Sequence, residues 1–138
     1  MGQGWRTRVK AVDTNILARY IVRDDARQAA IAEAILVQGV YLPATVLLET
    51  GWLLGSRYGM GRADVASTLE DLLQLPGIVC EDTEWIAWAI ARFAQGADFA
   101  DMIHLVAARS AEAFVTFDRI IVKAAGSQPP LPVEIPDR

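Results

Sequence analysis

Five short apolar segments divide the chain, and they constrain its fold more than any other feature of the sequence. They lie at residues 9–12, 40–42, 78–80, 113–116 and 133–135. Their length and composition predict short buried strands, with helical segments between them. Parallel strands need crossover connections, which are usually helical. The alternation therefore predicts a three-layer α/β/α sandwich around a central, mostly parallel sheet.

Start and stop signals predict where the helices lie. Asp13-Thr14-Asn15 supplies polar residues suited to a helix start, Asp24-Asp25 can cap a second helix, and Gly39 can end it. The predicted helices cover residues 14 to about 22, 26–37, 43 to about 58, 62–74, a segment that begins at 82 or 83, 98–110 and 118–125.

The length of 138 residues suits one domain, with a core spanning about residues 9–135 and loosely held ends at 1–6 and 136–138. No apolar run reaches the ~18 residues of a spanning helix, and the start MGQGWRTRVK lacks the apolar stretch of a signal peptide. We therefore expect a cytoplasmic protein without a membrane segment. The single cysteine, Cys80, excludes an internal disulfide, and we expect it to be a buried strand residue.

A net charge of −4 argues against nucleic-acid binding by general attraction to phosphate. It does not exclude a nuclease, because metal ions bound to a cluster of acids would reverse the local field.

Isolated acids point to a metal-dependent active site. Glu49 is the only charged residue between Tyr41 and Ser56, and burying an unpaired carboxylate is costly. Asp13, Asp98 with Asp101, and Asp118 also stand at the edges of apolar sequence. These acids can meet only through folding, and like charges brought together need a divalent cation to remain ionised. Asp13 and Asp118 follow predicted strands, where parallel sheets bind ligands.

The chemistry of these residues selects the metal and the reaction. Carboxylate oxygens without a histidine or cysteine cluster favour Mg²⁺ or Mn²⁺ over zinc. Such a metal can activate water and stabilise an in-line phosphoryl displacement.

Each acid also has a structural interpretation. Asp13, Asp98 and Asp118 stand where helix caps are expected, and Asp101 follows Asp98 at capping-box spacing. Glu49 lies in the middle of a predicted helix, so capping cannot explain it.

Other polar and aromatic residues are ambiguous. His104 is expected on the helix surface or behind the metal ligands rather than as a catalytic base. Trp85 and Trp88 are expected in the core or an interface, with stacking on RNA bases as the alternative. Arg19, Arg23 and Arg27 form either a phosphate-binding ridge or a solvated face paired with nearby acids.

The four acidic motifs together carry a family resemblance. DTN after the first strand, a helical glutamate near position fifty, G-x-DFAD-x-x-H near position one hundred and VTFDR after the fourth strand resemble the PIN-domain family, and within it the VapC-type toxins. The likeness runs from about Val9 to Val133. Relatives commonly begin a few residues before the DTN-type motif, so residues 1–8 form an extension relative to them.

The resemblance implies a PIN-like fold and a Mg²⁺- or Mn²⁺-dependent endoribonuclease that acts on RNA. It assigns Asp13, Glu49, Asp101 and Asp118 as the catalytic, metal-binding quartet and Asp98 as an additional metal ligand. It gives Asn15 and Thr116 as auxiliary polar residues that order the carboxylates. It also implies a VapB-like antitoxin as inhibitor and a homodimer as the functional unit. An apolar helix of that antitoxin could cover Ile16 to Tyr20 and Trp52 to Leu54.

Three other functions compete with this interpretation. One is a housekeeping nuclease with the same fold, and another is a non-catalytic module that binds nucleic acid or protein. The third, an aspartyl phosphatase, normally carries DxDxT, whereas Asn15 and Leu17 occupy the third and fifth positions here.

Overall fold

The structure of the chain is a computed structural model that describes residues 8–136 and contains five strands and seven helices within that range. The strands are β1 (Lys10–Ala11), β2 (Val40–Tyr41), β3 (Ile78–Val79), β4 (Phe114–Val115) and β5 (Val133–Glu134). The helices are α1 (Thr14–Val22), α2 (Ala26–Val37), α3 (Ala44–Ser56), α4 (Arg62–Leu73), α5 (Thr83–Ala94), α6 (Phe99–Ala107) and α7 (Arg119–Ala125). The predicted loose ends, 1–6 and most of 136–138, lie outside the described residues.

The described strands pair in parallel, which confirms the predicted α/β class. β2 lies between β1 and β3, with Lys10 opposite Val40 and Val40 opposite Ile78. β4 pairs with β5, with Phe114 opposite Val133. The expected single central sheet is therefore present as two hydrogen-bonded parts, one of three strands and one of two. Helices supply the crossover connections that parallel pairing requires.

Two glycines allow β2 and β3 to approach each other at their entry points. Gly39 and Gly77 both have positive φ, 88° and 84°, which is a conformation that residues with a side chain rarely adopt. A Cβ atom added to Gly77 would lie 3.0 Å from Cα of Gly39. The backbones of the two turns touch, so neither position has room for a side chain.

Aspartate side chains start five of the helices. Asp13, Asp25, Asp82, Asp98 and Asp118 are the N-caps of α1, α2, α5, α6 and α7, and each accepts a hydrogen bond from a backbone N–H of the first turn. Such caps satisfy donors that would otherwise have no partner within the helix. Capping is therefore a correct interpretation of Asp13, Asp98 and Asp118, whatever else these residues do.

The core is aliphatic and lies between the helices and the strands. Its fully buried side chains include Leu17, Leu42, Leu47, Leu54, Leu69, Ile90, Met102 and Leu105. Gly51 brings α3 close to α6, because a Cβ atom at this position would lie 3.3 Å from both the Phe99 ring and Leu69. The helix that carries Glu49 is thereby packed directly against the helix that carries Asp101.

Several predicted details need correction. The strands have two residues each rather than three or four, α3 ends at Ser56 rather than near 58, and α6 ends at Ala107 rather than 110. Cys80 is half-buried and follows β3 instead of lying within a buried strand. Within residues 8–136, no helix has the length and apolar character needed to cross a lipid bilayer.

Candidate active site

Thr14, the first residue of α1, links the helix start that Asp13 caps to Glu49 on α3. Asp13 stands two residues beyond Ala11, the last residue of β1, and caps α1 by accepting the Ile16 N–H at 3.1 Å. Thr14, only 9% exposed, donates its hydroxyl to Glu49 Oε1 at 2.7 Å. The hydrogen bond ties the start of α1 to the middle of α3. It also fixes the direction in which the Glu49 carboxylate points.

Glu49 is exposed, which corrects the inference that its apolar sequence surroundings bury it. The flanking residues Leu47 and Thr50 are fully buried, because they lie on the opposite face of α3 from Glu49. A helix rotates by about 100° per residue, so neighbours in sequence need not share an environment. Glu49 therefore needs no partner for burial, and its bond to Thr14 is a matter of orientation.

The second group of acids lies between α6 and α7. Asp98 caps α6 by accepting the Asp101 N–H at 3.0 Å, and Asp118 caps α7 by accepting the Ile120 N–H at 2.9 Å. Burial raises the pKa of Asp101, the nearby charges of Asp98 and Asp118 raise it further, and His104 opposes them. The fold thus brings acids that are 20 positions apart in sequence into electrostatic contact.

Thr116 shapes the turn that presents Asp118. Its hydroxyl accepts the backbone N–H of Asp118 at 3.0 Å, a local turn motif in which a side chain replaces a backbone acceptor. Thr116 therefore holds the backbone at Asp118, three residues after β4 ends at Val115. Thr116 thereby contacts the backbone and not a carboxylate, and its role in ordering the carboxylates stays a prediction.

Capping and metal binding are compatible at these aspartates. Asp13 and Asp118 each use Oδ1 as a cap, and Asp98 uses Oδ2. A carboxylate has two oxygens with about four acceptor sites, so the second oxygen of each cap can accept another partner. Helix N-termini also attract negative charge, so a carboxylate is a favourable residue at each of these caps.

The acids form two neighbouring groups and not one closed cage. Asp13 and Glu49 belong to the first, and Asp98, Asp101 and Asp118 to the second. Among residues 8–136, no three acidic, histidine or cysteine side chains converge closely enough to enclose a metal by themselves. The donors are nonetheless hard oxygens, and the mutual repulsion at Asp101 is what a divalent cation would relieve, so the residues fit Mg²⁺ or Mn²⁺.

The other predicted residues take more ordinary positions. Asn15 lines a groove between α1 and α2, and no hydrogen bond joins its side chain to the acids in the described part of the chain. His104 is exposed on α6. Trp85 and Trp88 are half-buried against the core in an edge-to-face contact, with ring centroids 5.7 Å apart.

Two of the three arginines of the proposed ridge are neutralised. Arg19 pairs with Asp24 at 3.0 Å, and Arg23 pairs with Glu33 at 2.8 Å. The solvated face is therefore the better interpretation of this surface, since a phosphate ligand would have to displace those acids.

The sequence that carries these acids matches a known protein family. A family model described as PIN domain matches residues 10–127, which is most of the chain. The chain belongs to the PIN domain family. PIN domains are typically nucleases, and PIN nucleases generally use divalent metals. No curated protein and no solved structure matches the chain significantly. The match covers all the acids of this PIN domain discussed above, from Asp13 to Asp118.

Sequence reasoning missed two features of the PIN-domain site. The sequence predicts only a helix start at Thr14. Its hydroxyl, next to Asp13, also orients the Glu49 carboxylate. Arg92 and Lys123 were not considered, yet both line a cleft together with Asp98 and Asp101. These two cations are separated by α6 in the sequence, so no local pattern groups them.

Proposed function

We propose that this PIN domain is a Mg²⁺- or Mn²⁺-dependent endoribonuclease that hydrolyses phosphodiester bonds in RNA. The observation that carries the proposal is the placement of Asp98, Asp101 and Asp118 at the starts of α6 and α7, where burial and the nearby charges of Asp98 and Asp118 raise the pKa of Asp101. Asp118 follows β4 and Asp13 follows β1, so both belong to the carboxyl ends of parallel strands. A cluster of ionisable oxygens at that edge suits metal-assisted hydrolysis.

Each residue has a role in this proposal. Asp13, Glu49, Asp101 and Asp118 hold the metal, and Asp98 assists from the start of α6. Thr14 orients Glu49, and Thr116 fixes the turn before α7. When bound, the metal supplies an activated water and stabilises charge on the phosphate oxygens.

A cleavage assay tests the enzymatic proposal. Labelled single-stranded and structured RNAs are incubated with the protein in Mg²⁺, in Mn²⁺ and in EDTA. Glu70→Gln is a matched control for Glu49→Gln, because Glu70 is an exposed glutamate on α4. The proposal requires cleavage that depends on metal, is lost in Glu49→Gln and is retained in Glu70→Gln. Equal cleavage by all three proteins, or cleavage in EDTA, would contradict it.

The finer proposal is that the protein is the toxin of a type II pair with a VapB-like antitoxin, and that it acts as a homodimer in the cytoplasm. Two apolar features support a protein partner. A groove between α1 and α2 is lined by Ile16 and by Ile31, which is 46% exposed, and Trp52 on α3 is 69% exposed. Leu54, expected on the same covered surface, is instead fully buried and cannot contribute.

Growth experiments separate the toxin from a housekeeping nuclease. Wild type and Glu49→Gln are induced with and without the adjacent open reading frame. The toxin proposal predicts arrest by wild type alone and relief by the neighbour. Equal growth of all four strains together with RNA cleavage in vitro would favour the housekeeping nuclease, and equal growth without cleavage would favour a non-catalytic binding module.

A further inference from the structure

A cleft of mixed charge adjoins the second group of acids. It is lined by Asp98 and Asp101 on the α6 side and by Arg92, Lys123 and the exposed Ile120 from α5 and α7. Among residues 8–136, neither Arg92 nor Lys123 lies within 4.0 Å of an acidic oxygen. Two cations thus share a cleft with two acids without being paired to them.

Arg92 is held in place by its neighbours. Its Nε donates to the Ala124 carbonyl at 2.7 Å, and Nη1 donates to Gln95 Oε1 at 3.3 Å. Gly126 leaves room for the guanidinium, since a Cβ atom there would lie 3.0 Å from Arg92 Cζ. Nη2 has no acceptor among the described residues. A guanidinium fixed in this way loses little side-chain entropy when it binds a ligand.

Arg62 shows how a purely structural arginine differs. Its Nη1 donates to the carbonyls of Phe93 and Ala97, and its guanidinium stacks on the Phe93 ring. Arg62 thereby ties α4 to the end of α5. Arg92 makes one such carbonyl bond and, unlike Arg62, lines the cleft that contains Asp98 and Asp101.

We propose that Arg92 and Lys123 bind the RNA phosphate next to the one that is cleaved. This inference rests on the proposed nuclease function and adds a subsite to it. A phosphodiester chain carries regularly spaced charges, so a metal at the acids and the two cations can engage successive phosphates of one strand. An acidic peptide is the competing ligand, which a polyglutamate titration distinguishes from RNA. Ile120, 74% exposed, offers an apolar surface to the adjoining nucleoside.

Binding measurements test the subsite without requiring cleavage. A short, labelled, mixed-sequence single-stranded RNA is titrated in Ca²⁺ against wild type, Arg92→Gln, Lys123→Gln and the double variant over a range of salt concentrations. Arg57→Gln is the control, because Arg57 is an exposed arginine that follows α3 and does not line this cleft.

The double variant should bind RNA about tenfold more weakly, which corresponds to the loss of about one charge-assisted hydrogen bond. The slope of log affinity against log salt should become shallower by roughly 0.7 for each phosphate contact that is lost. Arg57→Gln should leave both quantities unchanged. Lys123 is exposed, so Lys123→Gln keeps the test valid even if Arg92→Gln unfolds.

Three results would overturn the subsite: no RNA binding by wild type, an unchanged affinity and slope in the double variant, or tighter binding of polyglutamate than of RNA at these residues. RNA that binds through Arg92 and Lys123 but is not cleaved in Mg²⁺ or Mn²⁺ has a different meaning. That result would leave the subsite standing and refute the proposed nuclease.

Discussion

Thr14 and Glu49 are 35 positions apart in the sequence, and 2.7 Å separates Thr14 Oγ1 from Glu49 Oε1 in the fold. The bond joins the residue that follows Asp13 to the middle of α3. A hydroxyl in this position fixes one carboxylate oxygen and leaves the other available. It is a positioning contact between two elements that both carry proposed metal ligands.

The first prediction concerns this contact. Thr14→Val keeps the shape of the side chain but removes the hydroxyl, so Glu49 loses its fixed direction and metal-dependent cleavage should fall by about tenfold. Thr14→Ser restores a hydroxyl and should recover most of the rate. The rates are measured across a Mn²⁺ titration, in which a positioning role predicts weaker metal affinity for Thr14→Val. If the cleavage rates of Thr14→Val and Thr14→Ser depend on Mn²⁺ concentration in the same way, that role is refuted.

The second prediction separates capping from metal binding. Asp13→Asn and Asp118→Asn should abolish cleavage and preserve stability, because asparagine caps helices about as well as aspartate. Asp13→Ala and Asp118→Ala should also abolish cleavage and in addition cost about 1 kcal/mol of unfolding free energy. Denaturant melts and cleavage assays of the four proteins check this. Wild-type cleavage by either asparagine variant would show that the carboxylate serves only as a cap.

The third prediction ranks the two acids of α6. Asp98→Asn should reduce cleavage less than Asp101→Asn, since the former retains the cap to the Asp101 N–H and the proposed quartet contains only Asp101. Rates under saturating Mn²⁺ decide the order. The reverse order would assign the direct metal contact to Asp98.

The fourth prediction is the pH dependence of stability without metal. The pKa of Asp101 is raised in the fold, so its ionisation destabilises the folded state, fully so above the folded pKa and not at all below the unfolded value. Asp101→Asn should therefore be more stable than wild type at neutral pH in EDTA, because its amide has no charge to bury or to be repelled by Asp98 and Asp118. Like charges one turn apart contribute a few tenths of a kcal/mol to the unfolding free energy. The difference should vanish as the pH falls through the folded pKa.

Bound metal should reverse the order of stability of wild type and Asp101→Asn. Mn²⁺ should raise the melting temperature of wild type, by the equivalent of about 2.7 kcal/mol at a hundredfold excess over the dissociation constant. Asp101→Asn should gain little. A wild-type protein that Mn²⁺ does not stabilise would argue against a site at these acids.

The fifth prediction uses two glycines. Gly126 has φ 76° and ψ −162°, a conformation that is essentially reserved for glycine, so Gly126→Ala should cost about 1–3 kcal/mol of unfolding free energy. Gly55 lies within α3 and has space for a methyl group, whose nearest neighbour would be the Met60 carbonyl oxygen at 3.9 Å. Gly55→Ala should stabilise the protein by about 0.4–1 kcal/mol. Thermal melts of Gly126→Ala and Gly55→Ala measure these changes in stability. Equal changes in the two variants would contradict the assigned backbone conformations.

Local signals explain what the sequence could predict. The order of all the described elements follows from strand-forming segments and aspartate caps, and Asp13 and Asp118 were expected at strand ends, where they lie. These features depend on neighbours in the chain, so they are visible without the fold. The PIN domain match supports the same assignment.

Features that depend on distant parts of the chain were not predictable in this way. The exposure of Glu49 depends on which face of α3 meets the core, and the apolar composition of that helix hides the answer. The division of the strands into two sheets depends on which strands pair across the fold, for which the sequence has no marker. The cleft with Arg92 and Lys123 requires the end of α5 to reach α7, which it does through the hydrogen bond from Arg92 to the Ala124 carbonyl.

The close contact of Gly51 with Phe99 sets the distance between α3 and α6. Gly51 lies two residues after Glu49 on α3, and Phe99 lies two residues before Asp101 on α6. The size of the side chain at position 51 therefore sets how far apart the two carboxylate-bearing helices stand. A single added methyl group would widen that gap while every acid remains in place. Divergence among such enzymes can thus proceed through the packing behind a site, without any change in the residues that perform the chemistry.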